Sequence, residues 1–356
     1  MKAVHIGAFD ANLGDSIALY NVKKSISQVT SDISWQNINI REFWNNKNSF
    51  KFTVDRIKSC KPDLVVVGGG GLIECSIFGI HETGYKLPFN KSVLNALGIP
   101  VIFYGVGVNE FRGGPAYNEK AKKAIQEIID NSAAFSVRND GSLNKLKTFV
   151  GVTTDKVQVV PDPGLLFHEH YHILRKSKLE TIAIQPAFNG NPKINENRFL
   201  GKLKEFKNIV AKYDYIPHVK KDFNKAGKNS LLSTSKWDSI IKYSNVVNSL
   251  AVYKKIDGVI AMRGHGQLVS IGANVPGLYF STQDKVLDFS IDNGFKEYNI
   301  DITDKDWDKK LIKKIEDLKT NKLNFLNQWY EIRDEKMNEW YKLNNQFLQK
   351  YVSKVL

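Results

Sequence analysis

The sequence predicts an α/β fold in two units, each an open and largely parallel sheet with helices on both faces, the two facing a cleft. Three observations predict it. At 356 residues the chain is more than twice the usual size of one domain. Short apolar runs alternate with helical periods along most of its length, and several of those runs end in glycine, as strands feeding tight loops do.

The first unit is expected over residues 1–167. "KAVHIGAF" reads as its opening strand and "GDSIALYNVKKSI" as a helix, with Asp15 at or near the N-cap. "ISWQNINI" is a second strand. "DLVVVGGGG" and "IPVIFYGVGV" are nearly continuous apolar runs, the pattern of interior parallel strands buried on both faces. "AYNEKAKKAIQEIIDN" is the clearest amphipathic helix of this half, and "AAFSVRND", "GSLNKLKTF" and "KVQVVPDPG" follow as strand, short helix and last strand.

After a linker at about residues 165–178, a second α/β series is expected over 179–303. It opens with "ETIAIQPAF" and continues with a helix at about Glu196 to Tyr213, then "YDYIPHV". "NSLAVYKKI" reads as a helix, "DGVIAMRGH" as a strand, Gly266 to Gly272 as a helix and "VPGLYFS" as the next strand. Residues 304–356 are lysine-rich helix. Trp329, Ile332, Met337, Trp340, Tyr341 and Phe347 line an apolar face expected to pack across the two domains.

Composition narrows the function classes. Lys and Arg number 51 against 37 Asp and Glu, a formal charge of +14, which favours anionic partners. Zinc-finger spacing, an RNP-like strand and an arginine-crowded helix are all missing from the sequence, so nucleic acid is not expected as a partner. No apolar run approaches the roughly 18 residues of a membrane span. "MKAVHIGAF" lacks the apolar core and cleavage site of a secretory signal, so a cytoplasmic location is the expectation. Cys60 and Cys75 suggest neither a disulfide framework nor a thiolate metal site.

Chemistry is expected beyond the carboxyl ends of strands. In "GAFDANLGDS", Asn12 and Asp15 lie between a strand and a helix start suited to an anion, although neither a dinucleotide fingerprint nor a P-loop is present. Gly68, Gly69, Gly70 and Gly71 mark a backbone that turns tightly or touches a ligand. Arg138 ends a strand and suits a phosphate or carboxylate, with a salt bridge to Asp140 or Asp162 as the competing use. Asp162, between two prolines, reads as an exposed carboxylate that binds sugar hydroxyls or orients a basic residue, or as a structural turn. His168, His170 and His172 alternate in "HEHYH"; no carboxylate spacing accompanies them, and no metal is expected.

"MRGHG" carries the strongest signal. Arg263 and His265, two positions apart in an extended backbone, share a side, and Gly264 and Gly266 let a phosphate or sugar approach. Histidine donates a proton near neutral pH, and arginine stabilises nearby negative charge. Lys285 follows the next strand by a few residues and is expected either to reach the same pocket as a second cation or to cap or solvate the helix that follows.

In order, "NLGDSIAL", "DLVVVGGGGLI", "FYGVGVN", "FSVRNDGSLNKL", "VPDPGLLF" and "MRGHGQLVSIGANVPGLYFSTQDKVLDF" resemble the polysaccharide pyruvyltransferase family over most of residues 5 to 290. The resemblance implies two Rossmann-like domains similar to the GT-B glycosyltransferase fold. It further implies transfer of a pyruvyl group from phosphoenolpyruvate to two hydroxyls of a surface-polysaccharide sugar or its lipid-linked precursor, forming a ketal and releasing phosphate. Carried over by motif, the donor-binding residues fall on Arg138, Arg263, Lys285 and the glycines Gly69, Gly70 and Gly71. His265 is the implied proton donor, Arg263 and Asp15 complete the catalytic set, and Asn12, Asp15, Asp162 and Gln267 are the acceptor candidates. No cofactor is expected beyond the donor substrate. A homo-oligomer and peripheral attachment at the inner face of an anionic membrane are compatible with this reading. A nucleotide-sugar glycosyltransferase of the same fold and a non-catalytic carbohydrate-binding scaffold are the alternatives.

Overall fold

The structure, a computed structural model, describes residues 1–10, 12–30, 32–44, 49–75, 81–109, 116–166, 174–185, 187, 212–219 and 246–355. The chain forms two compact units. One comprises Met1–Phe9, Ala18–Leu166 and Trp340–Leu356, and the other Asp10–Ile17 and Phe167–Glu339. The histidines of "HEHYH" lie outside the described residues, as does the expected helix after Glu196 up to its last two residues, which form the start of a strand instead.

The first unit is built from β1 (Lys2–Gly7), α1 (Leu13–Ile26) from Ala18 on, β2 (Ser34–Asn39), α2 (Arg41–Trp44), α3 (Ser49–Lys58), β3 (Leu64–Gly68), β4 (Ile73–Glu74), α4 (Lys91–Leu97), β5 (Val101–Val106), β6 (Val108–Asn109), α5 (Glu119–Asn131), β7 (Ala134–Arg138), α6 (Ser142–Lys145) and β8 (Gln158–Val160); the first turn of α1 belongs to the second unit. Its main sheet runs β2-β1-β3-β5-β7-β8 with every neighbouring pair parallel. Every residue of β3 and β5 is buried, which is why these strands read as unbroken apolar runs. Val4, Val65, Val67 and Phe103 share a core with Ile125 and Ile128 of α5. Ala3, Val66, Ile102 and Tyr104 share another with Val22 and Ile26 of α1 and with Phe347 and Val352 of the C-terminal segment. α5 starts where Asn118 accepts a hydrogen bond from the Ala121 amide at 2.9 Å, a cap contributing about 1 kcal/mol.

In the second unit, β9 (Thr181–Gln185), β10 (Lys212–Tyr215), α7 (Val246–Leu250), β11 (Gly258–Ala261), α8 (Gly264–Gly272), β12 (Gly277–Ser281), α9 (Asp284–Asp292), β13 (Asn299–Asp301) and α10 (Trp307–Thr320) lead to the long α11 (Lys322–Phe347). Its sheet runs β10-β9-β11-β12-β13, again all parallel. The face expected on the last helices is the buried one: Trp329, Met337, Trp340 and Phe347 are covered, while Ile332 and Tyr341 are half-buried. Trp329 packs on Phe295 with ring centroids 5.8 Å apart.

Both sheets share a topological feature. The chain lays its first strand in the interior, adds the next on one side, then crosses to the other, so strand order reverses between β1 and β3 and between β9 and β11. Crevices open at such reversals, at the carboxyl ends of the strands.

Candidate active site

β11 ends at Ala261, and α8 begins three residues later, with Arg263 as its extended N-cap residue. His265 therefore sits in the first helical turn, not in extended backbone as the sequence suggested, and α8 starts two residues earlier than expected. Gln185, the last residue of the neighbouring β9, fixes this junction. Its side-chain oxygen accepts the Arg263 amide at 2.9 Å, and its carbonyl accepts the Met262 amide at 3.0 Å. A Cβ on Gly266 would stand 2.4 Å from that same side-chain oxygen, so the glycine makes room for Gln185 rather than for a ligand. Gly264 is different: the nearest atom to its would-be Cβ is Cε of Lys285, at 3.6 Å. Lys285, in the first turn of α9, thus reaches the start of α8, and the positive end of that helix dipole adds to the local field.

Asp15 completes the cluster. Its Oδ1 lies 3.2 Å from Nδ1 of His265, with 20% of the Asp15 side chain and 10% of the His265 side chain exposed. Asp15 is not the N-cap of α1. Asn12 takes that place, its side chain accepting the Gly14 amide at 2.9 Å and its carbonyl the Ser16 amide at 3.0 Å, so the polar groups of Asn12 shape the helix start. Gly14 is required by close contact, since a Cβ there would meet Cβ of His265 at 2.1 Å. A carboxylate on Nδ1 fixes the tautomer and orientation of the ring.

Three participants were not anticipated from the sequence: Gln185, His218 and Tyr253. The His218 carbonyl accepts the Leu13 amide at 3.0 Å, and its ring Nε2 is hydrogen-bonded to the Tyr253 hydroxyl at 3.1 Å. His218 is fully buried. Burial first, then the positive charges of Arg263 and His265, push its pKa down to about 3 against the opposing pull of Asp15. The available signal is positional: Gln185 ends one strand and His218 follows another in the same sheet as Arg263, at the carboxyl ends where the parallel order places functional groups.

The remaining predicted residues take structural positions. Gln267 is wholly buried and donates from Nε2 to the Ser290 hydroxyl at 2.7 Å, which corrects its reading as an acceptor contact. Asp162 is likewise buried instead of exposed; one oxygen accepts the Gly164 amide at 2.7 Å and the other pairs with Arg138 at 3.0 Å. Arg138 also pairs with Asp140 at 2.6 Å, so of its two expected uses the ion pair is the one seen. Among the glycines, a Cβ on Gly68 would fall 2.1 Å from the Tyr104 carbonyl oxygen and one on Gly71 2.3 Å from the Asn109 side chain. Gly70 accepts the Gly107 amide at 2.9 Å, and Gly69 turns the chain with φ of 79°. Arg138, Asp162 and these glycines belong to the first unit; Asn12, Asp15, Arg263, His265, Gln267 and Lys285 belong to the second.

Among the described residues, no three His, Cys, Asp or Glu side chains gather as a metal site, and no helix is long and apolar enough to cross a membrane.

No curated protein matches the chain. Among solved structures, S. aureus MnaA with UDP is similar with a TM-score of 0.52 and 13% identity, covering 92% of this chain and 90% of that one. The UDP-GlcNAc 2-epimerase from Neisseria meningitidis bound to UDP-GlcNAc gives 0.51 at 12% identity, covering 96% and 100%. The glycotransferase of kitacinnamycin gives 0.50 at 11%, covering 98% and 97%. At these identities the likeness is one of fold: two Rossmann-like units, each a parallel sheet flanked by helices, in the GT-B-like class. Residues 12–284 match the family described as polysaccharide pyruvyl transferase, a span that includes Asp15, Arg263 and His265. That match extends over most of the sequence, and the chain belongs to the polysaccharide pyruvyl transferase family as an enzyme of the pyruvyltransferase type.

Proposed function

We propose that the protein transfers the pyruvyl group of phosphoenolpyruvate to two hydroxyls of a saccharide, forming a cyclic ketal and releasing phosphate, with chemistry centred on His265. The observation that carries this reading is the Asp15–His265 pair beside Arg263 and Lys285, at the strand reversal of the second sheet. The donor presents a carboxylate and a phosphate, and two cations beside a helix N-terminus suit such a dianionic ligand. His265, protonated and held through Nδ1 by Asp15, gives its proton from Nε2 to the methylene carbon. The electron pair of the enol double bond takes up that proton, and C2 becomes an oxocarbenium centre. One sugar hydroxyl adds to C2, the C2–O bond to phosphate breaks, and a second hydroxyl closes the ketal. Of the two hydroxyl protons released, one returns to His265 and one leaves on phosphate.

The acceptor is a saccharide, free or lipid-linked. The net charge of +14 supports electrostatic attraction to an anionic membrane carrying such an acceptor. Sedimentation with anionic vesicles should weaken as salt rises, and lack of sedimentation at low salt overturns this part.

The purified chain, incubated with phosphoenolpyruvate and a panel of saccharides, should release phosphate in step with a product bearing one added pyruvate ketal. Consumption of a nucleotide sugar with no phosphate released from phosphoenolpyruvate overturns the proposal in favour of glycosyl transfer.

A further inference from the structure

We infer that His218, braced by Tyr253, is a positioning residue that holds Asp15 on Nδ1 of His265. The inference rests on the reading of His265 as the proton donor. His218 follows β10, the strand beside β9, and so stands at the same carboxyl edge of the sheet as Gln185 and Arg263. Its carbonyl holds the Leu13 amide at 3.0 Å, two residues before Asp15. On the other side of this short segment, Gly14 lies against Cβ of His265. The stretch that carries Asp15 is thus fastened to His218 by its backbone and pressed against His265 by its glycine.

The ring of His218 has its own fastening. Nε2 shares a hydrogen bond of 3.1 Å with the Tyr253 hydroxyl, and both side chains are fully buried. Burial raises the Tyr253 phenol well above its usual range, so it stays a neutral partner. The charged groups acting on the His218 ring are Arg263, His265 and Asp15; burial, together with the first two, pushes its pKa down to about 3 and favours the neutral ring. That neutrality matters beside an acid catalyst. A second imidazolium here would repel the proton that His265 must carry, whereas a neutral ring leaves the attraction between Asp15 and His265 intact.

The test follows the proton that His265 Nδ1 shares with Asp15, as a downfield NMR resonance in the full, unliganded chain, with turnover measured in parallel. Asp15→Asn should abolish the resonance by removing the paired carboxylate. His218→Asn should shift and broaden it, and Tyr253→Phe should do so less. The double variant D15N/H218N should match D15N alone in turnover, because His218 acts through Asp15. With phosphoenolpyruvate, His218→Asn should lower kcat by about tenfold or more and leave KM for the donor nearly unchanged. An unchanged resonance in His218→Asn, its absence from the wild type, or a turnover effect that adds to that of D15N overturns the inference. Should His218→Asn fail to fold, Tyr253→Phe carries the test, and an unchanged resonance there overturns it as well. Absence of wild-type turnover counts against the proposed reaction alone, since the resonance is read without substrate.

Discussion

Where strand order reverses between β1 and β3, the first unit ends its strands on Gly7 and Gly68 and fills the space beside them with its own atoms. A Cβ on Gly7 would meet Cδ2 of Leu19 at 2.2 Å, and one on Gly68 the Tyr104 carbonyl oxygen at 2.1 Å. Where order reverses between β9 and β11, the second unit ends its strands on Gln185 and Ala261 and gathers Asp15, Arg263, His265 and Lys285. The same topology serves close packing in one case and a charged cluster in the other. A glycine run at a strand end therefore signals crowding, and only the side chains show whether the crowding atoms belong to a ligand or to the protein.

The arginines make the same contrast. Arg138 is buried and spans Asp140 and Asp162, while the Arg263 amide is held by Gln185 at the start of a helix whose neighbours include an imidazole and an ammonium. A buried arginine between two carboxylates is costly to disturb on either side.

The largest expected effect breaks the second cluster. His265→Ala should lower pyruvyl transfer by about 10²–10⁴-fold, the range of a lost general acid, with little change in thermal midpoint. Residual activity within tenfold of wild type would remove His265 from the chemistry. Next comes the first unit: Asp162→Ala leaves Arg138 partly uncompensated in the interior and should cost about 3–5 kcal/mol of unfolding free energy, measured by urea titration.

Each unit also holds a histidine with no exposed surface, His5 in the first and His218 in the second. His5 is pushed down to about 3 by burial and by Lys23, as His218 is in the second unit by burial, Arg263 and His265. The unfolded chain binds a proton on each below the usual value of 6.5, and the folded chain does not until about pH 3. Stability from this source is therefore complete above pH 6.5 and is lost as pH falls toward 3. At pH 5 the loss is on the order of 2 kcal/mol per histidine. His5→Gln should abolish the share that His5 contributes, visible as a smaller difference between urea midpoints at pH 7 and pH 5.

The smallest effect is expected at Gly71→Ala. The added carbon meets the side chain of Asn109 at 2.3 Å, and that side chain can shift at a cost of about 1 kcal/mol. KM for phosphoenolpyruvate should stay within twofold; a large rise would restore Gly71 as a donor contact and erase the contrast between the two strand reversals.

Much of the fold was legible because its signals are local. The apolar runs of β3 and β5 announce buried parallel strands, the period of α5 announces an amphipathic helix, and the aromatic face of α11 announces the side that packs. Arg263, His265 and Lys285 were legible as a cluster because they flank consecutive strand ends. The helical conformation of His265 is not legible locally, since two glycines beside it weaken every propensity and Gln185, far along the chain, decides where the helix begins.

By itself, then, the sequence determined that parallel strands and helices alternate, that strands end on glycine or charge, and that an arginine and a histidine stand together at one such end. Tertiary structure alone decided that Asp15 meets His265, that His218 and Tyr253 lie behind them, that Arg138 is held by Asp140 and Asp162, and that Gln267 turns inward to Ser290. The physical reason is that strand alternation follows from residue periodicity within a few positions, whereas these pairings depend on the order in which the strands lie side by side, and residues remote in sequence become neighbours only when the sheet has formed.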